Sequence, residues 1–204
     1  MTRVKLCGLM RPQDAAAAND AAPDLAGMIV SPGFRRSVSR DIAAKIRRTL
    51  SKEISLCGVF VNASLEEIAS YLEEGLINAV QLHGDEDNNF IDALRSAYPQ
   101  IPVIKAFVIQ GPDDIRKAEA SHADLVLLDG GSGQGAAFDH SLLSGVSRDY
   151  ILAGGLDPDN VGNLVRYLRP WGVDTSSGIE TDGEKDPKKM TAFVKTVRTE
   201  DSGV

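Results

Sequence analysis

The chain has 204 residues, of which 43% are hydrophobic and 25% charged, so it can form one sizeable core. A formal net charge of -7 argues against a surface that binds nucleic acid or an anionic membrane. Cys7 and Cys57 supply no disulfide framework, and no stretch has the apolar run of a signal peptide or a membrane span. We therefore expect a cytoplasmic protein with a small-molecule partner.

Short apolar runs that suit strands buried on both faces recur along the chain. In chain order they lie at Val4–Gly8, Leu25–Val30, Leu56–Val61, Ala79–Leu82, Pro102–Val108, Leu125–Leu128, Tyr150–Ala153 and Gly172–Thr175. Helices with recognisable start signals alternate with these runs. In chain order they are predicted from 11 to about 21, from 39, from 64, over about 87–97, over 112–119, briefly after Asp139, over about 158–168 and over about 187–198. Residues 199–204 are predicted to be a flexible tail.

About eight strand and helix alternations with short connections predict an α/β fold, a single-domain (β/α)8 TIM barrel over residues 1–204. The active site of such a barrel lies at the carboxyl ends of the strands. The polar residues at or just after the predicted strand ends are Cys7, Arg36, Asn62, His83, Lys105, Asp129, Gly154 and Ser176. We expect these residues to surround one mouth of the barrel.

The last two predicted strands both end in small residues. Gly154-Gly155 follows one strand, and Ser176-Ser177-Gly178 follows the other. Exposed backbone amides and hydroxyls, with a helix-start signal at Asp157-Pro158, form the kind of surface that binds a phosphate monoester. In barrels of this class the phosphate site often lies in the loops after strands seven and eight.

A thiol and a carboxyl group are the main candidates for chemistry at the mouth. Cys7 could act as a nucleophile or base once its free pKa of about 8.5 is lowered. Asp129 could act as the acid, and an acid and a base on one rim are what an isomerase requires. The plain alternatives are a buried structural thiol and a turn aspartate that bonds its own backbone. Cys57, near the other end of its strand, is predicted to be structural.

Two further side chains could contact a ligand. Arg36 is either a solvated charge or a two-point clamp for a carboxylate. His83 is predicted to be a neutral polar lining residue, and because the histidines form no ligand cluster, no metal site is expected. The segment 131–136 formally matches a dinucleotide fingerprint, but no acidic residue ends the next strand, which runs into Gly154-Gly155. A mobile cover, or simply a flexible connection, is predicted there instead.

Five motifs occur in a fixed order along nearly the whole chain: Lys5-Leu-Cys7-Gly8, Gly58–Asn62, Val80–Gly84, Leu152–Leu156, and Val173–Gly178 with Lys185-Asp186. This ordered set resembles the phosphoribosylanthranilate isomerase family of tryptophan biosynthesis. The resemblance implies an Amadori rearrangement of N-(5-phosphoribosyl)anthranilate to 1-(2-carboxyphenylamino)-1-deoxyribulose 5-phosphate. No cofactor and no metal are implied.

The resemblance also implies roles for individual residues. Asp129 would protonate the ribose ring oxygen, and Cys7 as a thiolate would remove the C2′ proton. Because Asp129 must begin protonated and Cys7 ionised, the site is expected to shift their pKa values toward each other. Arg36 would bind the anthranilate carboxylate. The phosphate would lie on Gly154, Gly155, Ser177 and Gly178.

Two alternatives stay open at this point. The first is another phosphosugar barrel, such as a metal-dependent epimerase or an indoleglycerol-phosphate synthase. An epimerase needs clustered ligands that His83 alone does not supply, and a synthase needs a catalytic Glu to accompany Lys105. The second is a catalytically silent phosphate-binding barrel, which the retention of Cys7 and Asp129 argues against. The oligomeric state is left open between a monomer and a homodimer.

Overall fold

Eight parallel strands close into a barrel in the computed structural model, which describes residues 1–131 and 140–203. Each strand pairs with its neighbours in sequence, and β1 closes the barrel by pairing with β8, with Lys5 opposite Asp174. The strands are β1 Arg3–Leu6, β2 Leu25–Ile29, β3 Ser55–Phe60, β4 Ala79–Leu82, β5 Val103–Val108, β6 Leu125–Asp129, β7 Tyr150–Ala153 and β8 Gly172–Thr175. The predicted fold class is confirmed.

Helices follow the strands and cover the outside of the barrel. They are α1 Pro12–Ala21, α2 Arg40–Thr49, α3 Leu65–Glu73, α4 Asn88–Ala97, α5 Pro112–Glu119, α6 Val161–Leu168 and α7 Pro187–Asp201, and a short 3₁₀ helix spans His140–Gly145. Ser39 and Ser64 cap α2 and α3 by accepting from the amides of Ile42 and Glu67, as their positions predict. None of the helices in the described ranges is long and apolar enough to cross a membrane.

The ends of two helices differ from the prediction. Helix α6 begins at Val161 rather than near residue 158, because Asp157 Oδ1 accepts from the amides of Asp159 and Asn160 and holds that stretch as a turn. Helix α7 continues through residues 199–201, so it ends at Asp201 rather than near residue 198. The carboxylate of Asp201 fixes this end by accepting from the amide and hydroxyl of Thr2 at 2.7 and 2.8 Å.

A small hairpin that was not predicted follows β8. Its strands are β9 Glu180–Thr181 and β10 Glu184–Lys185, which pair antiparallel. The connecting residues Asp182 and Gly183 both have positive φ, at 52° and 82°, as a type I′ turn requires. The hairpin returns the chain over the carboxyl ends of the strands before α7 begins. The predicted cover at 131–136 lies outside the described residues except for Gly131.

The barrel has an apolar layer on each side of its strands. Residues such as Phe60 and Phe193 fill the space between strands and helices. A second cluster of residues lines the interior of the barrel. Successive side chains of a strand point to opposite faces, so the residues of this inner cluster alternate along their strands with residues that face the helices. This inner cluster consists of Cys57, Ala79, Ile104, Ala106, Leu127, Ile151 and Ala153. The polar residues Lys5, Gln81 and Asp174 are also buried and lie on the same inner face of their strands.

Candidate active site

Cys7 and Asp129 both lie at the carboxyl end of the barrel. Cys7 comes directly after β1, and Asp129 is the last residue of β6. Because β7 and β8 lie between these strands, Asp174 on β8 is positioned between the two candidates and interacts electrostatically with both. The sequence therefore predicted correctly that the two side chains belong to one mouth.

The thiol of Cys7 is almost completely covered. Its backbone amide donates to Thr175 O at 2.8 Å, and the residue is 7% exposed. Burial raises the pKa of the Cys7 thiol, although the charges of Lys5 and Lys185 oppose the rise. The expectation that the site lowers the thiol pKa is therefore wrong for this arrangement, because the loss of hydration outweighs the nearby cations.

The carboxylate of Asp129 is held against the end of β7. Its Oδ1 accepts from the amide of Gly131 at 2.9 Å, so the residue does form the turn that was the plain alternative. Gly154, with φ at 96°, closes the other side. A Cβ at Gly154 would lie 2.8 Å from Asp129 Oδ1 and 2.6 Å from the amide nitrogen of Gly130. Glycine is therefore required for these two strand ends to meet.

A cavity of about 70 Å³ lies next to Asp129, between the loops that follow β7 and β8. It is lined by Asp129, Ala153, Gly154, Gly155, Leu156, Asp174, Thr175, Ser176 and Ser177. Three of the four predicted phosphate-binding residues thus share one cavity. The fourth, Gly178, packs against the carbonyl of Leu156, where any Cβ would overlap that oxygen. Thr175 Oγ1 donates to the same oxygen at 2.6 Å and ties the two loops together.

Arg36 pairs with a carboxylate of the protein itself. Its Nε lies 2.6 Å from Glu180 Oε1, and its Nη2 lies 3.1 Å from Oε2. Arg35 and Lys185 reach the same carboxylate at 2.6 and 2.9 Å. Burial opposes the ionisation of Glu180, but the hydrogen bonds from Arg36, Lys185 and Arg35 dominate and lower its pKa to about 2. No site role was predicted for Glu180 or Lys185, although Lys185 belongs to one of the five motifs, because the hairpin that carries both residues was not predicted.

His83 points from the end of β4 toward this region. Its Nδ1 lies 3.1 Å from Gln81 Nε2. Burial lowers the pKa of His83, which favours the neutral ring. The direction of this shift agrees with the predicted neutral side chain.

Lys105, predicted at the mouth, lies on the outer side of the barrel. It alternates with the interior residues Ile104 and Ala106, so it faces the opposite way. Its Nζ donates to Gly84 O at 2.5 Å and to Glu86 Oε2 at 3.1 Å. This placement removes the lysine that an indoleglycerol-phosphate synthase would need.

Two charged residues inside the barrel were not predicted as site residues. Lys5 Nζ lies 2.9 Å from Asp174 Oδ1, and Lys5 is 1% exposed. The available signal was spacing: Lys5 stands two residues before Cys7 in a strand and therefore shares its face.

Within residues 1–131 and 140–203, no group of three or more His, Cys, Asp or Glu side chains could hold a metal ion.

Comparison with known proteins agrees with this geometry. Residues 4–196 match the family described as N-(5′-phosphoribosyl)anthranilate (PRA) isomerase. The N-(5′-phosphoribosyl)anthranilate isomerase of Endomicrobium trichonymphae is 39% identical over 98% of this chain and 100% of that protein.

Solved structures agree as well. The phosphoribosyl anthranilate isomerase of Thermotoga maritima superposes with a TM-score of 0.86 at 32% identity, over 98% of this chain and 100% of that one. A phosphoribosyl anthranilate isomerase in complex with reduced 1-(o-carboxyphenylamino)-1-deoxyribulose 5-phosphate has a TM-score of 0.84 at 32% identity, with the same coverage. The chain therefore belongs to the N-(5′-phosphoribosyl)anthranilate isomerase family.

Proposed function

We propose that the protein catalyses the cofactor-free Amadori rearrangement of N-(5′-phosphoribosyl)anthranilate to 1-(2-carboxyphenylamino)-1-deoxyribulose 5-phosphate. The observation that carries the proposal is the position of Cys7 and Asp129 at one end of a closed barrel, with a small cavity beside Asp129. Membership of the family supports the same reaction. A cytoplasmic location belongs to this proposal, since a small phosphosugar is the partner.

The substrate carries two anionic groups, and the site offers a place for each. The phosphate would lie in the cavity between the loops after β7 and β8, against Gly154, Gly155 and Ser177. Gly178 supports this cavity by allowing the two loops to pack closely. Backbone amides and the hydroxyls of Ser176 and Ser177 would then bind the phosphate against the overall charge of -7.

The anthranilate carboxylate would bind to Arg36. Glu180 occupies Nε and Nη2 of the guanidinium, and in the described part of the chain Nη1 has no hydrogen-bond partner. Because Arg35, Arg36 and Lys185 surround the single carboxylate of Glu180, a second carboxylate would meet net positive charge. His83 would line the pocket as a neutral polar side chain.

The reaction needs one acid and one base. Asp129 donates a proton to the ribose ring oxygen as the C1′–O bond breaks, which gives the protonated Schiff base. The Cys7 thiolate then removes the proton from C2′, the electron pair of that C–H bond forms the C1′=C2′ double bond, and the π pair of the iminium bond moves onto the nitrogen and neutralises it. The resulting enolamine tautomerises to the ketone. Each step is ordinary acid–base chemistry, which typically contributes about two to four orders of magnitude in rate.

Turnover of freshly prepared N-(5′-phosphoribosyl)anthranilate by the purified protein tests the proposal. We expect the fluorescence of the anthranilate group to change as the substrate is converted, with the aminoketose phosphate identified by mass spectrometry and NMR. A silent barrel would bind a phosphorylated product analogue without turnover. Turnover of another phosphosugar, with none of this substrate, would assign the protein to the other alternative.

A further inference from the structure

A buried cation lies beneath the thiol of Cys7. Lys5 and Cys7 are alternate residues of one chain segment, so both side chains point into the barrel. Lys5 Nζ lies 2.9 Å from Asp174 Oδ1, on the residue opposite it in the β1–β8 pairing. Because lysine is almost never fully buried unless it is paired, the groups around Lys5 Nζ must compensate its charge.

The sulfur of Cys7 and the ammonium of Lys5 border the same small space. A Cβ placed on Gly27 of β2 would lie 2.9 Å from Cys7 Sγ and 3.2 Å from Lys5 Nζ. Since both atoms crowd this one point, the missing side chain of Gly27 is what allows the thiol and the ammonium to approach each other. Lys5 therefore lies near Asp174 and the thiol of Cys7, both of which can carry negative charge.

The other charges around Cys7 come from neighbouring elements. Lys185 on β10 also acts on the thiol, but Glu180 balances its charge at 2.9 Å. Asp174 on β8 opposes thiolate formation, and Asp129 and His83 in turn act on Asp174. Cys57 on β3 is a further neighbour of Lys5, but burial raises its pKa to about 12 and keeps it neutral.

Among these neighbours Lys5 is the strongest influence in favour of the Cys7 thiolate. The ammonium group of Lys5 also lies inside the barrel, where solvent screens its charge only weakly. Burial by itself would keep Cys7 protonated, so a base at this position requires a compensating cation.

We infer that Lys5 is a positioning residue that stabilises the Cys7 thiolate from inside the barrel, with Asp174 competing for the same ammonium group. This inference deepens the proposed function, since it explains how a buried thiol serves as the base. Thiolate formation is nevertheless measurable without turnover, so the two proposals fail separately.

The test is the rate of iodoacetamide alkylation of Cys7 as a function of pH, with mass spectrometry to separate Cys7 from Cys57. Lys5→Met should raise the pH midpoint by about one unit or more, which lowers the rate at neutral pH about tenfold. Asp174→Asn should move the midpoint in the opposite direction, because it removes a negative charge near the thiolate together with the competing partner of Lys5. Lys105→Met is the matched control, since it also removes a buried lysine with a carboxylate partner, and should leave the midpoint unchanged.

Two outcomes would overturn the inference. One is an unchanged midpoint in folded Lys5→Met. The other, which applies even when Lys5→Met does not fold, is a midpoint in Asp174→Asn that is equal to or higher than that of the unmodified protein. If the midpoints shift as expected but Cys7→Ser keeps full turnover, the inference stands and the proposed role of Cys7 as base is wrong.

Discussion

The guanidinium of Arg36 and the carboxylate of Glu180 form a two-point ion pair, with Nε 2.6 Å from Oε1 and Nη2 3.1 Å from Oε2. Arg36 lies in the loop after β2, and Glu180 begins the hairpin after β8, so the pair spans the position of β1. It therefore joins two loops of the mouth beside Cys7. The hairpin is part of the candidate site and positions the arginine that the substrate carboxylate would need.

The ion pair around Glu180 predicts a pH dependence of stability. Burial disfavours the ionised carboxylate, yet hydrogen bonds from Arg36, Lys185 and Arg35 lower its pKa to about 2, below the value of about 4.3 in an unfolded chain. A depressed pKa stabilises the fold above the unfolded value, and this contribution is lost as the pH falls toward 2. Glu180→Gln should lower the free energy of unfolding by about 2 kcal/mol at pH 7.

Urea denaturation across pH checks this prediction. The difference between the unmodified protein and Glu180→Gln should shrink between about pH 4.5 and pH 2. Arg40 and Glu74 form an exposed ion pair, so Glu74→Gln is a control and should change stability by less than about 1 kcal/mol. If Glu180→Gln lowers the free energy of unfolding as much near pH 2 as at pH 7, the lowered pKa of Glu180 is contradicted.

Arg36 and Arg35 provide a matched comparison for carboxylate binding. Arg36→Lys keeps the charge but loses the planar fork, so it should raise KM about tenfold. Arg35 is adjacent and contacts the same carboxylate, but its side chain is 53% exposed, so Arg35→Lys should change KM less than about threefold. Steady-state kinetics give the KM of each variant. Equal effects of the two substitutions would show that general positive charge, rather than the guanidinium of Arg36, binds the substrate.

Gly154 and Gly155 provide a second matched pair. A side chain at Gly154 would collide with the backbone of Gly130 and with Asp129 Oδ1, so Gly154→Ala should displace the proposed acid and lower kcat more than tenfold. A Cβ at Gly155 meets no atom within 4 Å, and Gly155 lines the cavity proposed for the phosphate. Gly155→Ala should therefore mainly raise KM. Identical losses of kcat in both variants would argue against this division of roles.

The barrel could be predicted from the sequence because parallel strands buried on both faces leave continuous apolar runs. The predicted bounds of Ala79–Leu82, Tyr150–Ala153 and Gly172–Thr175 agree with those in the structure. The β9–β10 hairpin was missed because two-residue strands have no periodicity, and Asp182-Gly183 was the sole local signal. The end of α7 was missed because Asp201 is fixed by Thr2, a contact between distant residues.

Predicting the site was harder because the two buried faces of a barrel strand look alike in sequence. Lys5 and Lys105 both stand in apolar runs, yet Lys5 faces the interior with Asp174 and Lys105 faces outward with Glu86. The register of the closed barrel shows which face each lysine occupies. The direction of the Cys7 pKa shift was wrong for a related reason, because a strand-end position does not reveal how completely a thiol is buried.

The central claim, that Cys7 and Asp129 are the base and the acid of one reaction, is tested most directly by the turnover of Cys7→Ser and Asp129→Asn. Both variants should fold and bind a phosphorylated product analogue about as tightly as the unmodified protein. Each should lower kcat with N-(5′-phosphoribosyl)anthranilate by about two orders of magnitude or more. Near-normal kcat in either variant would contradict the role proposed for that residue.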